Sequence, residues 1–97
     1  MTEPLRIGTE WTIAHASVLH DRLLNALLEA DKAGDTLALD LGDVESLDSS
    51  GIQLLLALRR SLQERGQELR ISQASATARA ALDVYRLRPL LMPPEAL

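Results

Sequence analysis

One run concentrates the chemistry available to this chain. Asp48-Ser49-Ser50-Gly51 sets a carboxylate beside two hydroxyls and ends on a residue with no side chain. Residue types of this kind have two uses. A serine hydroxyl can accept a phosphoryl group, which adds about −1.5 to −2 charges and three acceptor oxygens. The same residues can open a helix: Asp and Ser are favoured N-caps, and Ser50-x-x-Gln53 has the form of a capping box. Taken alone, the run reads first as a good helix start. Nucleophilic catalysis by Ser49 or Ser50 would need an activating base. A nucleophile elbow reads Gly-x-Ser-x-Gly, and the first Gly is missing here. No catalytic residue is therefore assigned.

Other reactive side chains carry less. His15 and His20 are five apart, not the four of a helical metal pair, and there is no Cys to assist them. They read as surface or capping histidines, and no metal ligand is assigned. Asp40, Asp43, Glu45 and Asp48 form an acidic stretch of the sort that holds Mg²⁺ in phosphoryl-transfer receivers. A receiver also needs more strands and a Lys after a later one, whereas the only Lys is Lys32. These acids read as turn formers and solvated surface. Ser75, Thr77 and Arg79 read as the cap and lining of a helix. No Gly-rich phosphate loop is present, and no cofactor is expected.

The elements that must position the Asp48 turn are legible around it. Thr36 to Leu41 reads as a strand, with Leu37, Leu39 and Leu41 on one face and small Ala38 on the other, so burial on both faces is expected. Gly42-Asp43 breaks it, and Val44 and Leu47 anchor the link to Asp48. From Ser50 or Gly51 a helix runs to about Arg65. Ile52, Leu55, Leu56 and Leu62 mark its buried side, Gln53, Arg60 and Glu64 its polar side, and Gly66 closes it. The head of that helix falls at the C-terminal edge of a sheet, where α/β proteins place their sites. Its first turn has unpaired N–H groups and a partial positive charge that favour anions, a phosphate included. Gly51 leaves room for a partner's backbone.

Before this core unit, Leu5-Arg6-Ile7 and Trp11-Thr12-Ile13 read as short strands about Gly8, forming a hairpin or one bent strand. Helical spacing starts near Ala16. Leu19, Leu23, Ala26, Leu27 and Ala30 face a core, Leu24 and Leu28 widen the stripe, and Arg22, Asn25 and Glu29 lie opposite. The helix stops near Ala33-Gly34. After it, Leu69-Arg70-Ile71 is a short strand. Ser75 or Thr77 opens a third helix carrying Ala78, Ala81, Leu82 and Tyr85, and Pro89, Pro93 and Pro94 end regular structure. The order β(β)αβαβα predicts an α/β layer with helices packed on about four mostly parallel or mixed strands.

Composition excludes several functions. At 97 residues the chain is expected to be one domain, 1–97 with its core at about 5–91. Aromatics are 2%, too few for base stacking, and a net charge of −4 with no basic block beyond Arg59-Arg60 leaves no footprint for nucleic acid or anionic lipid. The longest apolar run, Leu54 to Leu58, is too short to span a bilayer, and the N-terminus has no apolar signal core. With no Cys, the expected location is the cytoplasm.

The stretch from Leu39 to Leu56, read with these elements, resembles the STAS domain of bacterial anti-sigma factor antagonists. That family shows a buried strand ending in Asp-Leu, a short link, Asp-Ser-Ser/Thr-Gly and a Leu-rich helix. Gly66-x-x-Leu69-Arg70-Ile71 resembles the next strand and Val84-Tyr85-Arg86-Leu87 the end of the last long helix, so the likeness covers nearly the whole chain. The resemblance implies a non-catalytic partner-switching module. A serine kinase that is also an anti-sigma factor binds the unmodified domain and phosphorylates the residue before the Gly, here Ser50 and less plausibly Ser49. A phosphatase resets it. The implied partner surface is Asp48, Ser49, Ser50, Gly51, Gln53 and Leu54. In this reading Ser49 caps the helix and leaves Ser50 the more exposed, while Asp48 orients the turn or touches the partner. Leu54 and Leu58 lie off the centre of the helix stripe, as core flanks or as an apolar patch beside Ser50. The alternative is a constitutive subunit or adaptor: the chain also resembles STAS components of chemotaxis arrays and a small subunit of phospholipid-transport ATPases, in which the motif can serve docking without phosphorylation.

Overall fold

The computed structural model describes residues 4–34 and 36–92. Its elements run β1 (Glu10–Trp11), a 3-10 turn (Ile13–His15), α1 (Ala16–Ala33), β2 (Thr36–Leu41), β3 (Ser46–Leu47), α2 (Ser49–Glu64), β4 (Glu68–Ala74), α3 (Ala76–Val84) and α4 (Arg88–Leu91). This is an α/β fold with four short strands in two parallel pairs, β1 with β3 and β2 with β4.

β2 alternates as its sequence requires, with Leu37, Leu39 and Leu41 buried. Its other face is only half covered at Ala38 and Asp40. Beyond its opposite edge, Leu5 bridges to Leu39 in parallel, through Leu5 N–H to Ala38 O at 2.9 Å and Asp40 N–H to Leu5 O at 2.8 Å. The N-terminal segment therefore does not fold back on itself as a hairpin. It runs as a bent strand, first beside β2 and then, as β1, beside β3. Trp11 is fully buried at that second pairing, and its indole N–H donates to Gly8 O at 3.1 Å. Thr12 and Ile13 leave the strand for the 3-10 turn, contrary to the strand expected there.

α1 packs on α2 and β2, and α2 packs on β4, β1 and β3. Leu19, Leu23 and Ala26 of α1 are buried as its spacing predicts. Leu24 and Leu28 are half or more exposed and do not widen the core stripe. Ala30 and Glu29 lie outside the residues whose side chains are described. In α2 the buried side is Ile52, Leu55, Leu58 and Leu62. Leu56, assigned to the core from spacing, faces out, and Leu58 replaces it. The i, i+3, i+3, i+4 series from Ile52 holds one stripe, and Leu56 falls off it. Full burial of such a leucine contributes about 1.5–3 kcal/mol relative to exposure.

α2 and α3 end alike. After α2, Gly66 takes a φ of 73°, and the Gln67 and Gly66 N–H groups close back on Leu62 O (2.8 Å) and Gln63 O (3.0 Å). After α3, Leu87 and Arg86 N–H close on Leu82 O (2.9 Å) and Asp83 O (3.1 Å), but the left-handed residue is Arg86, with a φ of 56°. Tyr85, expected on the third helix, is its half-exposed C-cap, because the helix proper ends at Val84. Ser75 caps α3, accepting from Ala78 N–H at 3.1 Å while its hydroxyl donates to Val44 O at 2.6 Å. Pro89 does not stop regular structure. It sits in the first turn of α4, where no N–H is needed. Pro93 and Pro94 lie outside the described residues.

Candidate functional site

β3 is two residues long and delivers the chain directly to Asp48 at the head of α2. Asp48 is extended (φ −104°, ψ −173°) and is the N-cap. One carboxylate oxygen, Oδ1, accepts the Ser50 N–H at 2.9 Å and the Gly51 N–H at 3.1 Å. The other, Oδ2, accepts the Ile13 N–H at 3.1 Å from the turn after β1. Asp48 N–H in turn donates to Trp11 O at 3.1 Å. The residue thus joins the helix head to the β1 segment through both backbone and side chain.

This corrects two expectations. Ser49 is not the cap but the first residue of the helix, and Ser50 does not open a capping box with Gln53. The carboxylate wins because it offers two charged acceptors where a hydroxyl offers one neutral oxygen. The exposure order is also reversed: Ser49 is exposed and Ser50 half-buried. The Ile13 N–H is the main reason the Asp48 carboxyl is held below its ordinary value of 3.8. Desolvation opposes it as the next-largest effect, and the Gly51 and Ser50 N–H groups add smaller lowering contributions. A helix head that would otherwise attract an anion is therefore already occupied by the protein's own carboxylate.

Gly51 is buried, and the backbone that approaches it belongs to this chain. A Cβ there would press into the Trp11 carbonyl oxygen and lie 2.5 Å from Leu47 Cδ1 and 2.8 Å from Trp11 Cβ. Gly51 thus lets α2 seat against β1 and β3. Gln53 is exposed on the first turn. Leu54 is half-buried and packs against the core, lining a shallow crease with Leu23, Leu24, Leu27, Ala57 and Leu58. Of the six residues read from the sequence, Asp48 is the N-cap and the other five lie in the first two turns of α2, with Ser49 and Gln53 outward and Gly51 inward.

Asp40, Asp43 and both histidines have partners within the fold. Asp40 pairs with Arg6 at 3.1 Å and accepts the Gly42 N–H at 2.7 Å, and Asp43 lies 3.6 Å from the same guanidinium. His15 bridges Thr12 Oγ1 at 3.1 Å and Glu10 at 2.9 Å, and His20 lies 4.0 Å from Asp21. Among the described residues, no three His, Asp or Glu side chains gather as a metal site. No described helix is long and apolar enough to cross a membrane. Sequence reasoning missed Trp11 and Ile13 as parts of the site. Nothing local in Trp11-Thr12-Ile13 signals a partner some 35 residues on.

Parallel strand pairs packed with helices, with a Ser-Ser-Gly helix head directly after β3, are the features of a STAS-like domain. Residues 2–92 match the family model described as Mlab, STAS domain, and the chain belongs to that family. No curated protein and no solved structure matches the chain. Membership carries a general role in regulation and protein interaction, and domains of this family are in general not catalysts.

Proposed function

We propose that the chain is a non-catalytic, cytoplasmic regulatory domain that docks a protein partner through the head of α2 and is switched by phosphorylation at Ser50. The partner class is a serine kinase that also acts as an anti-sigma factor. The observation that carries this reading is the Asp48–Gln53 turn itself. It offers two serine hydroxyls at a helix head whose geometry is set by a triply engaged carboxylate. In the switching step, Ser50 Oγ bonds to the γ-phosphorus of ATP, the bond to the β-phosphate oxygen breaks, ADP leaves and the hydroxyl proton passes to solvent. The added charge sits beside Asp48, so a partner surface fitted to a neutral hydroxyl rejects the modified domain. Incubation with ATP and a serine kinase of the anti-sigma factor type, followed by mass spectrometry, tests this. Ser50 is expected to gain one phosphoryl group and the complex to dissociate. Modification of neither Ser50 nor Ser49 overturns the switch.

A second reading is favoured by the half-exposed Leu24, which lines the apolar crease together with Leu54. Here the domain is a constitutive subunit of a chemotaxis array or phospholipid-transport ATPase, held by a standing apolar contact. In that case Ser50→Ala co-purifies with the assembly as well as wild type does.

A further inference from the structure

Ile13 is the most exposed large apolar side chain among the described residues, at 76%. It is nevertheless held on an organised turn. His15 N–H donates to Thr12 O at 3.0 Å, and the His15 ring bridges Thr12 Oγ1 and the Glu10 carboxylate. Two residues before Ile13, Trp11 is fully buried. A lone exposed isoleucine is ordinary on a protein surface, and what distinguishes Ile13 is its backbone position. Its neighbour is the α2 head, because Ile13 N–H donates to Asp48 Oδ2 while Oδ1 takes Ser50 and Gly51 N–H.

One carboxylate thus serves two backbone segments. Ser50 N lies 2.9 Å from Oδ1. Covalent geometry then keeps the Ser50 hydroxyl within about 6 Å of the carboxylate. A phosphoryl group on that hydroxyl repels Asp48 and brings acceptor oxygens that compete for the same N–H groups of the first helical turn.

We propose that Asp48 couples Ser50 to the Thr12–His15 turn, so that phosphorylation of Ser50 withdraws Asp48 from the Ile13 amide and displaces the exposed Ile13 side chain. One modification then changes both the head of α2 and the turn that Asp48 ties to it. The inference rests on the Ser50 switch just proposed, but its test needs neither kinase nor partner.

Phosphoserine is installed at position 50 of the full chain during synthesis, and amide hydrogen exchange is followed by NMR. The Ile13 amide is expected to exchange on the order of tenfold faster, as for loss of a hydrogen bond to a charged acceptor. The Leu55 amide, deep in α2, should keep its protection. In Asp48→Asn the side-chain oxygen can still cap the helix but no second carboxylate oxygen remains for Ile13. The Ile13 amide should already be fast there, and phosphoserine should add nothing. Unchanged Ile13 exchange in the phosphoserine chain overturns the coupling, as does equal acceleration in the Asp48→Asn background. Should Asp48→Asn fail to fold, the phosphoserine chain alone still decides. A kinase assay that modifies no serine removes the proposed switch but leaves this result standing.

Discussion

Replacing Gly51 with Ala separates helix propensity from tertiary fit. In an isolated helix the change favours folding by about 1 kcal/mol. In this protein the new methyl group meets the Trp11 carbonyl oxygen and lies 2.5 Å from Leu47 Cδ1. Carbon atoms rest at about 3.5–4.0 Å, so α2 must retreat by roughly 1 Å from β1 and β3. The carbonyl cannot swing aside, because it accepts the Asp48 N–H at 3.1 Å and belongs to the strand paired with Ser46–Leu47. Overpacking of this kind costs about 1–3 kcal/mol, and a lost backbone hydrogen bond adds about 1. Set against the helical gain, the expected net loss is about 1–3 kcal/mol. For a chain of this size each kcal/mol lowers Tm by about 4–8 °C. Urea and thermal unfolding followed by circular dichroism at 222 nm measure it. Gly8→Ala is the internal control: its Cβ would meet Arg22 Nη1 at 3.4 Å and Leu19 Cδ2 at 3.5 Å, ordinary contacts that leave stability nearly unchanged. A Gly51→Ala variant as stable as wild type, or more so, refutes the close-approach argument.

Leu58→Ala should lose about 2–5 kcal/mol by urea titration, and Leu56→Ala under about 0.5, since only Leu58 is buried; equal losses would return the stripe to the spacing-based assignment. Arg86→Gly should gain about 0.5–1 kcal/mol by relieving a left-handed residue at the end of α3, read as a higher urea midpoint. For Asp48→Ala the stability deficit depends on pH. The folded carboxyl lies below its ordinary value of 3.8, so the ionised cap contributes fully above that value and its contribution is lost as pH falls through the folded one. The urea midpoints of wild type and variant should differ by a constant amount from pH 8 to 5 and converge below pH 4; a gap that widens in acid contradicts the assigned direction.

What the sequence determined by itself was pattern. The alternation Leu37, Leu39, Leu41 and the breaks at Gly34, Gly42 and Gly66 placed β2 and the ends of α1 and α2, because side-chain period and backbone freedom are local properties. The motif at Asp48 and its order among the elements were enough to name the fold family. Tertiary structure decided the rest. Only the pairing of the N-terminal segment with β2 and β3 decided between a hairpin and one bent strand, since strand partners are chosen by distant backbone groups. Only the fold brought Ile13 N–H to the second oxygen of Asp48, so that the residue capping the helix through Ser50 and Gly51 N–H also ties its head to the β1 segment. Gly51 reads in sequence as an open approach for a partner. In the fold that approach is filled by Trp11 and Leu47 of the same chain, because a buried helix start must seat on its own strands before it can present anything outward.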